Sequence, residues 1–484
     1  RPQPASEEVS AQMHSTNTNT NTNTNTNTNS LQHHVNMQRQ QICQHDSDPI
    51  AEALGTAALK QILSDEVGCY RERIYPPMVT LRLFIDQVLS TDHACQDAVG
   101  RRLSQRVADG QTPCSLSSGP YCKARKRLAL RLPQRLCKHL GVQLESCTAP
   151  LWGWRERSVK LFDATTVSMP DTPQNQRMWP QNSEQKPGLG FPVARIGALM
   201  SLSNGSVIDY AVAAMKGKGS GEQTLLRGLS ANLTSGDILL ADALHCTWWA
   251  LHMFKERGVD VVMPNDGRRT VDFTQGQVLG AGDHVVWWPK PKRASWIDPQ
   301  DYAKMPAGIW VREVQVDYGV LVTTLVDPLQ VSCADIARLY CKRWNIEVDF
   351  RALKVTMGMD VLRCMSPAMV EKEIAVYLLT YNLVCWAMVR AAQLAQVSAR
   401  ELSFASARRL IWNFAGDLRR RTFVDTDYLA ATLLHSIGRC KLHKRPDRVE
   451  PRAKKRRPKP LPLLTMPRQL AREQIRAQRL KVVP

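Results

Sequence analysis

Two short apolar stretches, residues 158–163 (Ser-Val-Lys-Leu-Phe-Asp) and 237–242 (Asp-Ile-Leu-Leu-Ala-Asp), each end in an acid. Both read as strands. A carboxylate at the carboxyl end of a central strand projects into the crevice where open α/β sheets bind ligands, and two such acids, Asp163 and Asp242, need a compensating cation. A third carboxylate, Glu347, lies in a stretch whose pattern predicts a long helix over 335–357. At about 100° per residue, Tyr340, Arg343, Glu347, Arg351 and Lys354 fall within roughly 40° of one line, while Leu339, Ile346, Phe350, Leu353 and Met357 form an apolar stripe about 90° away. That helix has one edge for the core and one for chemistry. Asp349, two residues from Glu347, projects roughly 200° around it, onto the far side. The plainer reading of the polar edge is a solvated face laced by i,i+4 ion pairs, Arg343 with Glu347 and Glu347 with Arg351. The two upstream acids weigh against it. Three hard oxygen donors suit Mg²⁺ or Mn²⁺, which keep waters and phosphate oxygens as further ligands, and two such ions can drive an in-line displacement at phosphorus.

A sheet has to position these acids, and the surrounding pattern supplies one. Strands are expected at 158–163, 193–202 and 207–213, the last two forming a hairpin around Asn204-Gly205. A helix over 222–233, the strand 237–242, a helix over 247–258 and a strand at 259–263 follow. This order predicts a mixed sheet flanked by helices, of the α/β class. Val- and Trp-rich strands at 285–288, 310–316 and 320–326 read as a β insertion spanning about 264–330, ahead of the Glu347 helix. Helices are predicted upstream over 51–63, 78–89, 94–107 and 119–130, and downstream from Ser366-Pro367 through 389. The apolar run 374–389 is shorter than the roughly 20 residues a bilayer requires, so it reads as a buried helix.

With 484 residues, 43% hydrophobic and 22% charged, the chain can bury a sizeable core, and a wholly disordered protein is excluded. Lys and Arg number 64 against 44 acids, a net charge of +20 that favours a polyanionic partner. The 13 cysteines include no CxxC pair, which points to a reducing compartment without a disulfide framework. The Asn-Thr alternation at 16–29 has no apolar face, so residues 1–47 are read as disordered. The chain begins at Arg1, and Met13 and Met37 are candidate starts. Lys123, Arg125, Lys126 and Arg127 crowd one helix, either as a solvated basic face or as cations that meet DNA phosphates. The stretch 439–459 holds 11 further Lys or Arg residues interleaved with Pro. Asp171 is read as a turn cap in preference to a fourth acid near the site, His245 as a structural polar contact or a reach toward phosphate, and of Trp287 and Trp288 at most one packs inward.

The spacing Tyr340-x2-Arg343-x3-Glu347-x6-Lys354 within LYCKRWNIEVDFRALK, preceded by FDATTVSMPDTP and GDILLADA, resembles the signature of the insertion-sequence-4 family of bacterial transposases. Ala164 and Ala243 stand where that family usually carries Gly and a polar residue. The resemblance covers about residues 80–460. It implies an RNase H-like core with a β insertion before the Glu-bearing helix, in which Asp163, Asp242 and Glu347 hold two Mg²⁺ or Mn²⁺ ions. Tyr340, Arg343 and Lys354 would grip phosphates of the transposon end, beside Arg351, with Trp344 near the bases. The expected organisation is a helical DNA-binding domain over 48–150, a catalytic domain over 151–365, a helical region over 366–438 and a basic tail over 439–484. The expected activity is cleavage at terminal inverted repeats and transfer of the 3′-hydroxyl ends into target DNA, by a homodimer on double-stranded DNA in the bacterial cytoplasm, associated with the nucleoid. A nuclease with the same core, or a copy that only binds DNA, is the alternative.

Overall fold

The computed structural model describes residues 49–68, 70, 73–419, 426–443 and 464–482. The low-complexity stretch 1–47 and the Lys/Arg-rich residues from 444 to 459 lie outside them.

Nine strands form one sheet: β1 (Val159–Ser168), β2 (Val193–Ser201), β3 (Val207–Ala214), β4 (Ile238–Leu240), β5 (Asp260–Pro264), β6 (Gln277–Gly280), β7 (Asp283–Pro289), β8 (Gly308–Val316) and β9 (Gly319–Thr323). Their order is β3-β2-β1-β4-β5-β9-β8-β7-β6. The first five strands, with β1, β4 and β5 parallel and β2 antiparallel to β1, have the RNase H-like arrangement. The Val- and Trp-rich segment, expected as a β insertion ahead of the Glu347 helix, adds its strands to this same sheet. Its strand β9 pairs with Met263 and its neighbours on β5, so the segment extends the central sheet. Strand patterning predicts that a segment is extended but not which edge it joins.

Alternation along the strands sorts side chains to two faces. Leu161, Ile238, Leu240 and Val262 point into a large apolar cluster, while Phe162, Leu239, Val261 and Met263 point into a second. The second cluster is closed by the helices Glu222–Leu229 and Trp248–Glu256. The large one is closed by the helices Pro77–Leu89, Arg131–Trp152, Cys333–Cys341 and Pro367–Leu394, so the N-terminal helices share a core with the sheet. The apolar run 374–389 is indeed the middle of a helix buried inside the molecule. From it Asn382 accepts from the backbone N–H of Val207 at 2.8 Å and donates to the Val207 carbonyl at 2.8 Å, satisfying two groups of edge strand β3. Beneath β3 passes Gly141, where a Cβ would lie 2.1 Å from the Val207 carbonyl oxygen; only glycine lets helix and strand approach so closely.

The expected single helix over 335–357 is four pieces. Cys333–Cys341 carries a Ser332 capping box, a 3₁₀ turn covers Lys342–Trp344, α-helix resumes over Asn345–Arg351, and a π turn spans Ala352–Thr356. Gly358, at φ +79°, then reverses the chain. The wide last turn shifts Lys354 off the line that uniform 100° steps predict.

Candidate active site

The parallel ladder between β1 and β4 ends at Leu161 opposite Leu240. Both chains stay extended beyond it: β1 runs on against β2, with Asp163 opposite Ala198, and Asp242 keeps φ −79° and ψ 175°. Asp163 therefore sits in the middle of its strand rather than at the end, because β2 supports β1 after β4 has left. Each acid follows the last paired residue by two positions, so continuing the register places Asp163 opposite Asp242, on the face of Leu161 and Leu240. The crevice expected between the strands is this divergence.

From the same face the Asn345–Arg351 helix packs against β1 and delivers Glu347. Arg343 spans the gap, its Nη1 3.4 Å from Asp163 Oδ2 and its Nη2 3.3 Å from Glu347 Oε1. Burial pushes the Asp163 carboxyl up to about 6; the Ala164 N–H, donating at 2.7 Å, and Arg343 oppose this, while Asp242 and Glu222 add to it. Oδ1 of Asp242 is buried and, among the described residues, has no hydrogen-bond partner. Crowded, incompletely neutralised carboxylates with an orphaned oxygen are a donor set that fits a hard divalent cation.

The neighbours are unequal in access. Tyr340 is buried, donates to the Ala241 carbonyl at 3.3 Å, and has its phenol pushed up to about 12 by burial. Trp344 and Arg351 are exposed and Lys354 is half-buried. Asp349 is buried on the opposite side, as its angular position predicts, and pairs with Arg400 at 2.6 Å. Lys123, Lys126 and Arg127 are exposed on the helix Gly119–Arg127, but Arg125 is not. It packs over Phe84 and Tyr121 and donates to Gln87, so it leaves the basic face predicted for it. Asp171 is exposed and accepts from Gln176 at 2.9 Å. Trp288 turns inward to donate to Glu313 at 2.9 Å, while Trp287 stays exposed against Trp310.

Glu222 and Arg195 escaped the sequence reading. Glu222 begins its helix beside the crevice and meets Arg195 at 3.4 Å. Neither lies in a recognisable spacing with the other acids. His245 is buried with Nε2 3.4 Å from Asp242 Oδ1, and burial holds its ring below the usual histidine range against the pull of Asp242.

The Transposase DDE domain family matches residues 154–383, which run from the approach to β1 into the buried helix Pro367–Leu394. Over 335 residues the chain is 24% identical to the transposase InsG for insertion sequence element IS4 of Escherichia coli (strain K12), spanning 67% of this chain and 75% of that protein. It also resembles the solved piggyBac transposase synaptic complex with hairpin DNA, at a TM-score of 0.41 and 8% identity over 81% of this chain and 84% of that chain. DDE transposases act on DNA and normally use a divalent metal. Residues 154–383 carry a Transposase DDE domain, and the chain is a DNA transposase similar to that of insertion sequence element IS4.

Proposed function

We propose that Asp163, Asp242 and Glu347 are the acids that carry cleavage and strand transfer at the terminal inverted repeats of this chain's own element. The observation that supports this most strongly is the shared register of Asp163 and Asp242 across the parting of β1 and β4, with Arg343 linking Asp163 to Glu347. The three carboxylates would hold two Mg²⁺ or Mn²⁺ ions. When bound, such ions activate the attacking oxygen and stabilise the leaving one. Arg343 holds the acids together before DNA arrives; its forked guanidinium then suits bidentate contact with a phosphate. Tyr340 fixes the backbone just before Asp242 through the Ala241 carbonyl. Trp344, exposed at the crevice rim, is placed to meet bases, and Arg351 and Lys354 to meet phosphates. Lys123, Lys126 and Arg127 provide a second basic face for DNA, and a homodimer would bring two element ends together. In this reading the N-terminal helices 48–150 bind DNA, 151–365 do the chemistry, 366–438 support it, and the tail adds phosphate attraction.

The test is cleavage of a labelled element-end duplex with Mg²⁺ and, separately, Mn²⁺, alongside gel-shift binding and joining into a plasmid. Asp163→Asn, Asp242→Asn and Glu347→Gln should each bind the duplex and fail to cut it. An active Glu347→Gln protein overturns the assignment. Cutting without joining by the unaltered chain would make it a nuclease.

A further inference from the structure

Resting on the reading of Asp242 as a metal ligand, the geometry points to a further metal position made by Glu222, Asp242 and His245, which takes a first-row transition-metal divalent cation such as Mn²⁺ in preference to Mg²⁺. One ligand atom from each residue lies within 4.8 Å of the other two. In an octahedron of roughly 2.1 Å bonds, ligand atoms sit about 3 to 4.2 Å apart. Side-chain rotation of under about an ångström therefore closes the set.

Acidic clusters are common without an ion, but here the imidazole marks the spot. The His245 side chain is 2% exposed, its Nε2 faces Asp242 Oδ1 at 3.4 Å, and among the described residues its Nδ1 has no hydrogen-bond partner. That oxygen is itself buried and orphaned, so the two groups face one another without completing a hydrogen bond. Buried polar atoms left this way are rare and point to a missing partner. The ring is held in place edge-on to Phe162, with centroids 5.0 Å apart. Gln223, donating to the Leu244 carbonyl at 2.6 Å, fastens the start of the Glu222 helix to the turn that carries His245.

This position differs from one between Asp163 and Glu347. Glu347 arrives on the face of Leu161 and Leu240, whereas Glu222 and His245 belong with Phe162 and the helices of the opposite face. Four carboxylates converge on the crevice, Asp163, Asp242, Glu222 and Glu347, and two guanidiniums, Arg195 and Arg343, answer them. Negative charge is left over for a cation. All-oxygen sets suit Mg²⁺, while an imidazole nitrogen in the set tilts preference toward later divalent ions.

The experiment is a Mn²⁺ titration of the full chain without DNA, followed by electron paramagnetic resonance, with electron spin-echo modulation to detect imidazole nitrogen bound to the metal. The unaltered protein should show that nitrogen signal and bind Mn²⁺ at least tenfold more tightly than Mg²⁺. His245→Gln should lose the signal, and both it and Glu222→Gln should bind Mn²⁺ about tenfold or more weakly. Asp242→Asn should abolish binding at this position. Mn²⁺ binding that needs Asp242 but shows no nitrogen signal, or that is unchanged in Glu222→Gln, overturns the inference and leaves the reading of Asp242 standing. Binding indifferent to Asp242→Asn removes that reading as well. If His245→Gln does not fold by circular dichroism, the affinity of Glu222→Gln decides. No Mn²⁺ bound at about 1 mM also overturns the site.

Discussion

Glu347 and Asp349 stand two residues apart on one helix and live in opposite surroundings. Asp349 is 8% exposed and pairs with Arg400 at 2.6 Å, and Arg400 also donates to the Ser201 and Leu202 carbonyls at 2.7 and 2.8 Å. That end of the helix is clamped to the end of β2. Glu347 is 35% exposed and meets Arg343 at 3.3 Å, while the same guanidinium is stretched toward Asp163 at 3.4 Å. A short, dry pair holds structure. A long contact shared among crowded acids leaves charge available for a ligand. The helical pattern sets the two acids roughly 200° apart, and the partners that meet each one do the rest.

The largest expected effect separates the two acids by activity. Glu347→Gln should reduce Mg²⁺-dependent cleavage of an element-end duplex to background, whereas Asp349→Asn should cut at a near-normal rate per folded molecule. Equal loss in both would erase the distinction. The next effect runs the other way. Asp349→Asn leaves Arg400 buried without its counter-charge, which should lower stability by about 3–5 kcal/mol, while replacing both residues with apolar ones should recover most of that. Urea denaturation measures it, and a stable Asp349→Asn protein would show that the clamp is dispensable.

A smaller stability change, of opposite sign, belongs to the crevice. Asp163 has a folded-state value of about 6, above the ordinary carboxylate range. Its stabilising contribution is therefore complete below the unfolded value near 4 and is lost as the pH rises through about 6. Without metal, Asp163→Asn removes that burden and should be about 1–2 kcal/mol more stable than the unaltered chain at pH 8, with the advantage vanishing near pH 4. Paired denaturation curves at the two pH values test this. An Asp163→Asn protein that is less stable at pH 8 would mean that the contacts to Arg343 and Ala164 outweigh burial.

What could be read in advance follows the range of the interaction. The alternating strands were legible because side-chain periodicity is local, and the tight four-residue spacing around Glu347 marked the candidate acids for the same reason. That Asp163 and Asp242 stand on neighbouring strands was expected, but not that β1 continues past the acid, because its support comes from β2 pairing some 35 residues downstream. Glu222 carried no signal, since it joins Asp242 only through the packing of its helix start against the turn at Leu244. The extension of the sheet through β9 was equally hidden, because Val-rich strands are compatible with either edge. Arg125 was misplaced for the same reason, as Gln87 and Phe84 meet it from a different helix.

That misplacement gives the smallest and most discriminating effect, because it repeats the contrast of Glu347 and Asp349 with cations. On the helix Gly119–Arg127, Lys123, Lys126 and Arg127 face solvent, while Arg125 is 8% exposed and surrounded by Phe84, Tyr121, Gln87 and Cys95. If the exposed three meet phosphates, replacing all of them with Ala should weaken binding to every duplex alike. It should also reduce the slope of log affinity against log salt by up to ~3, since each neutralised phosphate contributes about 0.9. Arg125→Ala should leave that slope unchanged and instead lower stability by about 1–3 kcal/mol, as Gln87 loses a buried partner. A flattened salt slope in Arg125→Ala with stability intact would place Arg125 on the DNA and break the comparison. An unchanged slope in the triple variant would remove this helix from the DNA interface altogether.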